Sequence, residues 1–247
     1  MKAVILAGGR GTRLKPYTTI FPKPLVPIGE YPVVEILLRQ LIAQGITDVT
    51  LTVGYLAELL QAYFLQRPSL TMLLNLSYVN EVEPTGTAGS LALVPDLNET
   101  FLVMNGDVLT TLKFQKLIAH HRAQGAALTI AMHKKQVETD LGVLVADDNG
   151  RITDYREKPK LDYLVSMGIY VYEPRVLDYI GVGSYLDFPD LVLKLIRAGE
   201  HVVGYQSDDL WLDIGRPEDY QTATDQFETH RAEFCADFDS ELESATI

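Results

Sequence analysis

Short strand-like runs alternate with runs of helical period along the first half of this chain, and no other feature restricts its fold as tightly. Lys2 to Leu6 is a brief apolar run that reads as a buried strand. Val33 to Gln44 places apolar residues at helical spacing, with Pro32 before it and Gly45 after it as boundaries. Val49 to Val53 is β-branched and alternating, and Leu56 to Leu65 is helical again. Thr71 to Val79 reads as strand, Thr87 to Val94 as a short helix, and Phe101 to Met104 as a buried strand. Leu112 to Gln124 reads as helix and Ala126 to Met132 as strand. Such alternation predicts an α/β fold: a doubly wound, mainly parallel, Rossmann-like sheet with helices on both faces.

The second half changes character. Gly142 to Ala146 and Arg151 to Tyr155 flank Asp147-Asp148-Asn149-Gly150, where Asn-Gly suits the positive φ angles of a tight turn. This predicts a small inserted antiparallel region. Leu164 to Tyr172 reads as strand, Phe188 to Arg197 as helix, His201 to Tyr205 as strand, and Pro217 to Glu233 as a terminal helix. The division expected is one catalytic domain over 1–235, followed by an acidic, frayed tail over Ala236 to Ile247.

Composition narrows the class. A single cysteine, Cys235, excludes a disulfide framework and any multi-thiolate metal site. No apolar run approaches the roughly 18 residues of a membrane span, and Ala3 to Ala7 is too short for a signal-peptide core, so a cytoplasmic location is expected. The net charge of −12 argues against a nucleic-acid partner. The charge is uneven, however. The first 29 residues carry Lys2, Arg10, Arg13, Lys15 and Lys23 and no acid, whereas the other 218 hold 16 bases and 33 acids. A basic segment on an acidic protein suits a small polyanion.

That segment contains a glycine-rich loop directly after the first strand: Leu6-Ala7-Gly8-Gly9-Arg10-Gly11-Thr12-Arg13-Leu14. Glycines let backbone N–H groups turn toward phosphate oxygens. Neither common fingerprint is met: Leu14 stands where the dinucleotide pattern has its third glycine, and no Gly-Lys-Ser/Thr follows. Charge stands in their place, as Arg13 and as Lys23 held in extended backbone between Pro22 and Pro24.

The loop and Pro22-Lys23-Pro24 together resemble the sugar-1-phosphate nucleotidylyltransferase family, also called nucleotide-sugar pyrophosphorylases. The resemblance extends to Glu83-Pro84-Thr85-Gly86-Thr87-Ala88-Gly89 (base recognition), Asn105-Gly106-Asp107 (metal), Glu157-Lys158-Pro159 (sugar phosphate) and Trp211-Leu212-Asp213-Ile214-Gly215 (metal). It implies transfer of a nucleotidyl group from an NTP to a sugar 1-phosphate, with Mg²⁺ as cofactor. Such a reaction joins two anions and requires in-line positioning and charge neutralisation rather than a covalent nucleophile.

By the same resemblance, Leu6, Ala7, Gly8, Gly9, Gly11, Thr12, Arg13, Lys23, Glu83, Gly86, Thr87, Asn105 and Gly106 would bind the nucleotide. Gly142, Glu157 and Lys158 would bind the sugar phosphate, Asp107 and Asp213 would hold the metal, and Arg13, Lys23 and Lys158 would serve catalysis. The expected partners are the two small substrates, with no nucleic acid and no membrane, and homo-oligomerisation is left open. No hexapeptide repeat of a C-terminal left-handed β-helix follows Asp213, so no second activity is expected.

The base is read from hydrogen-bond matching. Guanine offers two adjacent donors that one carboxylate can accept together, whereas uracil and thymine offer one N–H between two carbonyls. Glu83 at the base edge would favour guanine. The motif form is most like the mannose-1-phosphate guanylyltransferase branch, although Thr85 stands where that branch usually has Leu, and Ser166-Met167-Gly168 where many relatives have Asn-Ala-Gly. GTP with mannose 1-phosphate is therefore the first expectation, and a uridylyl- or thymidylyltransferase for glucose 1-phosphate or another hexose 1-phosphate is the alternative. A non-catalytic nucleotide-sugar sensor is a rival that need not keep Arg13, Lys23, Asp107 and Asp213, all of which are present. A Rossmann dehydrogenase would want the missing third glycine and an acid at the ribose. His120, His121, His133, His201 and His230 show no ligand spacing, and Cys235 reads as inert.

Overall fold

Residues 1–235 are described by a computed structural model; the acidic tail lies outside them. In chain order the strands are β1 (Lys2–Ala7), β2 (Pro27–Ile28), β3 (Tyr31–Pro32), β4 (Asp48–Val53), β5 (Asn75–Asn80), β6 (Phe101–Asn105), β7 (Val108–Thr110), β8 (Leu128–Glu138), β9 (Val143–Ala146), β10 (Ile152–Arg156), β11 (Lys160–Tyr172), β12 (Val202–Ser207) and β13 (Trp211–Asp213). The helices are α1 (Val33–Ala43), α2 (Ala57–Leu65), α3 (Pro68–Thr71), α4 (Gly86–Gly89), α5 (Phe114–Gln124), α6 (Phe188–Arg197), α7 (Pro217–Thr229) and α8 (Arg231–Phe234).

Seven strands form the central sheet in the order β12-β8-β11-β6-β1-β4-β5. All neighbours are parallel except β11, which runs antiparallel to both β6 and β8. The expected mainly parallel α/β fold is thus observed. Its interior strand β1 is apolar because both its faces are covered. Ala3, Ile5 and Ala7 pack in one cluster with α1, α2 and α5 residues such as Leu38, Phe64 and Leu117. Val4 packs in the opposite one with Ala88, Leu91 and Leu195. A third cluster, off the sheet, joins Leu14, Ile28, Val33, Leu109, Ile214 and Phe227.

Several boundaries differ from expectation for local reasons. The fifth strand begins at Asn75 rather than Thr71, because Pro68 at a first helical position starts a turn over Pro68–Thr71. The terminal helix ends at Thr229, and the chain resumes as α8, bringing the Phe227 and Phe234 rings to 5.7 Å. The hairpin turn forms as read: Asp147 Oδ1 accepts from the amides of Asn149 and Arg151, each at 3.0 Å, and Gly150 has φ +83°. Strands β8 and β11 are longer than expected. Beyond the sheet they continue as a two-stranded arm, held partly by cross-strand ion pairs Lys134–Asp162 (2.8 Å) and Lys160–Glu138 (3.2 Å). Charged residues there hide the apolar alternation that marks a strand.

Candidate active site

A cavity of about 740 Å³ opens over the carboxyl ends of β1, β4, β5 and β6, where open α/β sheets place their ligands. Its floor is the glycine loop. The amide of Leu14 donates to Gly11 O at 2.9 Å and the Thr18 hydroxyl donates to the same oxygen at 2.7 Å, which folds the loop back on itself. Gly8 leaves room for the Glu81 side chain: a Cβ there would lie 2.5 Å from Glu81 Oε1, so the carboxylate would have to shift. The expected nucleotide residues from Leu6 to Lys23 line this cavity, as do Gly86, Thr87, Asn105, Gly106 and the metal candidate Asp107.

Glu83 does not line it and is exposed; Glu81, at the carboxyl end of β5, lines it instead. Glu81 Oε2 accepts from Thr85, at 2.7 Å from its hydroxyl and 3.3 Å from its amide. The turn expected to recognise the base is docked on the segment before α6. Leu186 N donates to Thr85 O at 2.8 Å, Asp187 Oδ1 accepts from Thr87 N at 3.2 Å, and Phe188 N donates to Thr87 Oγ1 at 2.8 Å. Tyr185 and Asp187 both line the cavity. No motif pointed to them. Glu81 had a legible signal, an acid just past a strand's carboxyl end.

The metal candidates, 106 positions apart, are brought together by the short antiparallel ladder of β7 and β13. Asp213 pairs with Val108, and Ile214 N donates to Asp107 O at 3.1 Å. The third apolar cluster explains why. Leu14 follows Arg13, Leu109 lies two residues after Asp107, and Ile214 follows Asp213; all three are 0–1% exposed in that one cluster. Burying a side chain of this size contributes about 1.5–3 kcal/mol, so apolar neighbours carry the polar groups to their places.

Lys23 is ion-paired and hydrogen-bonded to Asp107 Oδ2. Asp107 Oδ1 is buried and has no hydrogen-bond partner among the described residues. Asp213 is exposed and, unlike Asp107 and Gly215, does not line the cavity, yet the protein around it strips enough water to raise its carboxyl above the usual range. The Asp107 charge adds to that rise, and Lys23 and Arg13 oppose it. Tyr170, near enough to feel both carboxylates, stacks on Phe188 at 3.9 Å between centroids, and burial pushes its phenol to about 12. Two converging carboxylates, one with an orphaned oxygen, are a donor set that fits Mg²⁺, which takes one or two carboxylates and completes its shell with phosphates and water. Among the described residues no group of three or more His, Cys, Asp or Glu side chains could hold a metal, so the substrate phosphates would have to supply ligands.

The expected sugar-phosphate residues form a separate cluster on β9, β10 and the turns beside them. Gly142 lies over Tyr155, where a Cβ would come within 2.2 Å of its hydroxyl, and that hydroxyl donates to Glu157 Oε2 at 2.7 Å. Lys158 holds φ +42°, in the left-handed region. All three expected residues are exposed and none lines the cavity.

Comparison with known proteins agrees with this architecture. The nucleotidyl transferase family model matches residues 2–230. A UTP–glucose-1-phosphate uridylyltransferase of Synechocystis is 35% identical over 241 residues, 90% of this chain and 62% of that protein. A mannose-1-phosphate guanyltransferase of Neurospora crassa is 34% identical over 232 residues, 91% of this chain and 63% of that one. The chain thus spans a little over three fifths of the length of these relatives. The crystal structure of HddC from Yersinia pseudotuberculosis complexed with GMP-PN superposes with a TM-score of 0.67 at 26% identity, covering 92% of this chain and 99% of that one. A putative glucose-1-phosphate thymidylyltransferase from Bacillus anthracis shares the fold, with a TM-score of 0.72 at 23% identity over 92% of this chain and 94% of that one.

Proposed function

The chain belongs to the nucleotidyl transferase family, and from that premise we propose that it catalyses NTP + sugar 1-phosphate ⇌ NDP-sugar + pyrophosphate with Mg²⁺. The observation that carries this reading is the meeting of Asp107 and Asp213 beside Lys23, Arg13 and the glycine loop. A phosphate oxygen of the sugar 1-phosphate forms a bond to the α-phosphorus of the NTP. The bond from that phosphorus to the bridging oxygen breaks, and its electron pair leaves with pyrophosphate. The loop amides cradle the triphosphate and Arg13 neutralises charge growing on the leaving group. Lys23, now paired with Asp107, is placed to turn toward the α-phosphate. When bound between Asp107 and Asp213, Mg²⁺ would supply further neutralisation of phosphate charge. Glu157 and Lys158, from the second cluster, bind the sugar 1-phosphate.

In place of Glu83 we assign the base edge to Glu81, because Glu81 is the acid that lines the cavity. GTP with mannose 1-phosphate remains the pair suggested by motif form. UTP or TTP with glucose 1-phosphate or another hexose 1-phosphate is favoured by one observation: an oxygen of Glu81 is already engaged by Thr85. Relatives of both kinds match at nearly equal identity. The test is pyrophosphate release by purified protein with Mg²⁺ across several NTPs and a panel of sugar 1-phosphates. Release with one pair supports the reading and fixes the specificity. Binding of NTP and NDP-sugar without release from any pair would favour the sensor.

A further inference from the structure

The Glu81 carboxylate is held unsymmetrically. Its Oε2 accepts two hydrogen bonds from Thr85, one from the hydroxyl at 2.7 Å and one from the amide at 3.3 Å. Its Oε1 has no hydrogen-bond partner among the described residues and lies against the Gly8 backbone on the cavity wall. Thr85 is itself immobilised. It is 6% exposed, its carbonyl accepts from Leu186 N at 2.8 Å, and the following turn is held through Thr87 by Asp187 Oδ1 and Phe188 N. The backbone that carries the hydroxyl is therefore fixed by the fold.

We propose that Thr85 is a positioning residue that sets nucleobase preference by occupying Oε2 of Glu81 and leaving Oε1 alone to face the base. The proposal rests on the nucleotidyl-transfer reading and deepens it. A carboxylate oxygen has two lone pairs, and Thr85 fills both on Oε2. Guanine presents adjacent N1–H and N2–H donors that match both oxygens of a free carboxylate. Against this one, the second donor would have to compete with Thr85. Uracil and thymine present one imide N–H, which Oε1 accepts without disturbing Oε2. Thr85 thus withholds half of the guanine-reading surface and moves the balance toward the single-donor bases.

The experiment compares Thr85→Val, Thr85→Ala and Thr85→Ser with the parent protein. Two quantities are measured for GTP and UTP: kcat/KM for pyrophosphate release, with mannose 1-phosphate and glucose 1-phosphate each saturating, and Kd by titration calorimetry. Freeing one lone pair of Oε2 should raise the GTP-over-UTP ratio about fivefold to tenfold in Thr85→Val and Thr85→Ala, mainly through KM and Kd. Thr85→Ser keeps the hydroxyl and should hold the ratio within about twofold of the parent. An unchanged ratio in a folded Thr85→Val or Thr85→Ala protein overturns the proposal, as does an equal shift in Thr85→Ser. A structural role would lower both nucleotides together and leave the ratio alone. If no pair releases pyrophosphate, the catalytic reading falls while the Kd ratio still decides the role of Thr85.

Discussion

Strand β1, the apolar run Lys-Ala-Val-Ile-Leu-Ala, and strand β10, the mixed run Ile-Thr-Asp-Tyr-Arg, live in opposite surroundings. Ala3, Val4 and Ile5 of β1 are 0% exposed, whereas all five residues of β10 are exposed, Ile152 at 53% and Tyr155 at 59%. The difference follows from layering: β1 is covered on both faces, and β9 and β10 pair only with each other. It also divides the chemistry. On the glycine-loop side, the Glu81 side chain packs against Gly8 and accepts two hydrogen bonds from Thr85. On the hairpin, Gly142, Tyr155 and Glu157 form a solvated cluster with little packed behind it. Preorganised groups are where transition-state stabilisation originates, so the packed glycine-loop side is the one suited to hold reacting phosphates.

Stability gives the sharpest contrast. Phe101→Ala, in the stack of Phe101 on Tyr172 at 5.4 Å, should cost about 3–5 kcal/mol in urea unfolding. Leu144→Ala on the hairpin should stay within about 0.5 kcal/mol. Equal losses would mean that the hairpin is buried in solution. Asp107→Asn and Asp213→Asn should each lower kcat about 10²–10³-fold without loss of fold by circular dichroism, taking an oxyanion donor as the measure. Near-parental rates at saturating Mg²⁺ would remove both from the metal site.

Matched glycine variants separate the two sides more finely. Gly8→Ala pushes on Glu81 and should raise KM for the NTP about tenfold; Gly142→Ala pushes on Tyr155 and should raise KM for the sugar 1-phosphate by a similar factor. If either variant affected both substrates alike, the two regions would not act separately. The smallest effect lies where α5 packs on the sheet, at the end of β8 and β11 away from the arm. His121 is 1% exposed between Thr129 Oγ1 at 2.8 Å and Glu173 Oε1 at 3.1 Å, and burial lowers its pKa despite Glu173. The unfolded chain then binds the proton more readily than the folded one. Stability should be full above the ordinary histidine range and fall as pH drops through it. His121→Gln should flatten the difference between urea midpoints at pH 7.5 and pH 5, and an unchanged difference would assign the acid sensitivity elsewhere.

Elements whose signal is local are written in the residues themselves. Runs such as Lys2 to Leu6 and Phe188 to Arg197 carry their own periodicity, and the latter has the same limits in the structure. The glycine loop and Asp107 could be placed because each follows a strand end; Lys23 lines the cavity as expected, but from a short 3-10 helix over Lys23–Leu25 rather than from extended backbone. Other features were decided only by tertiary structure. The β7–β13 ladder has three residues per strand, too few for any period to show, yet it is what joins Asp107 to Asp213. The β8–β11 arm has charged residues where alternation would have marked strands. The choice of Glu81 over Glu83 turns on where β5 ends and on the Thr85 hydroxyl that holds the Glu81 side chain. Local backbone preference is written in neighbouring residues. Which side chains meet across the fold depends on how apolar clusters assembled from distant segments close over them, and that becomes definite only when the chain is packed.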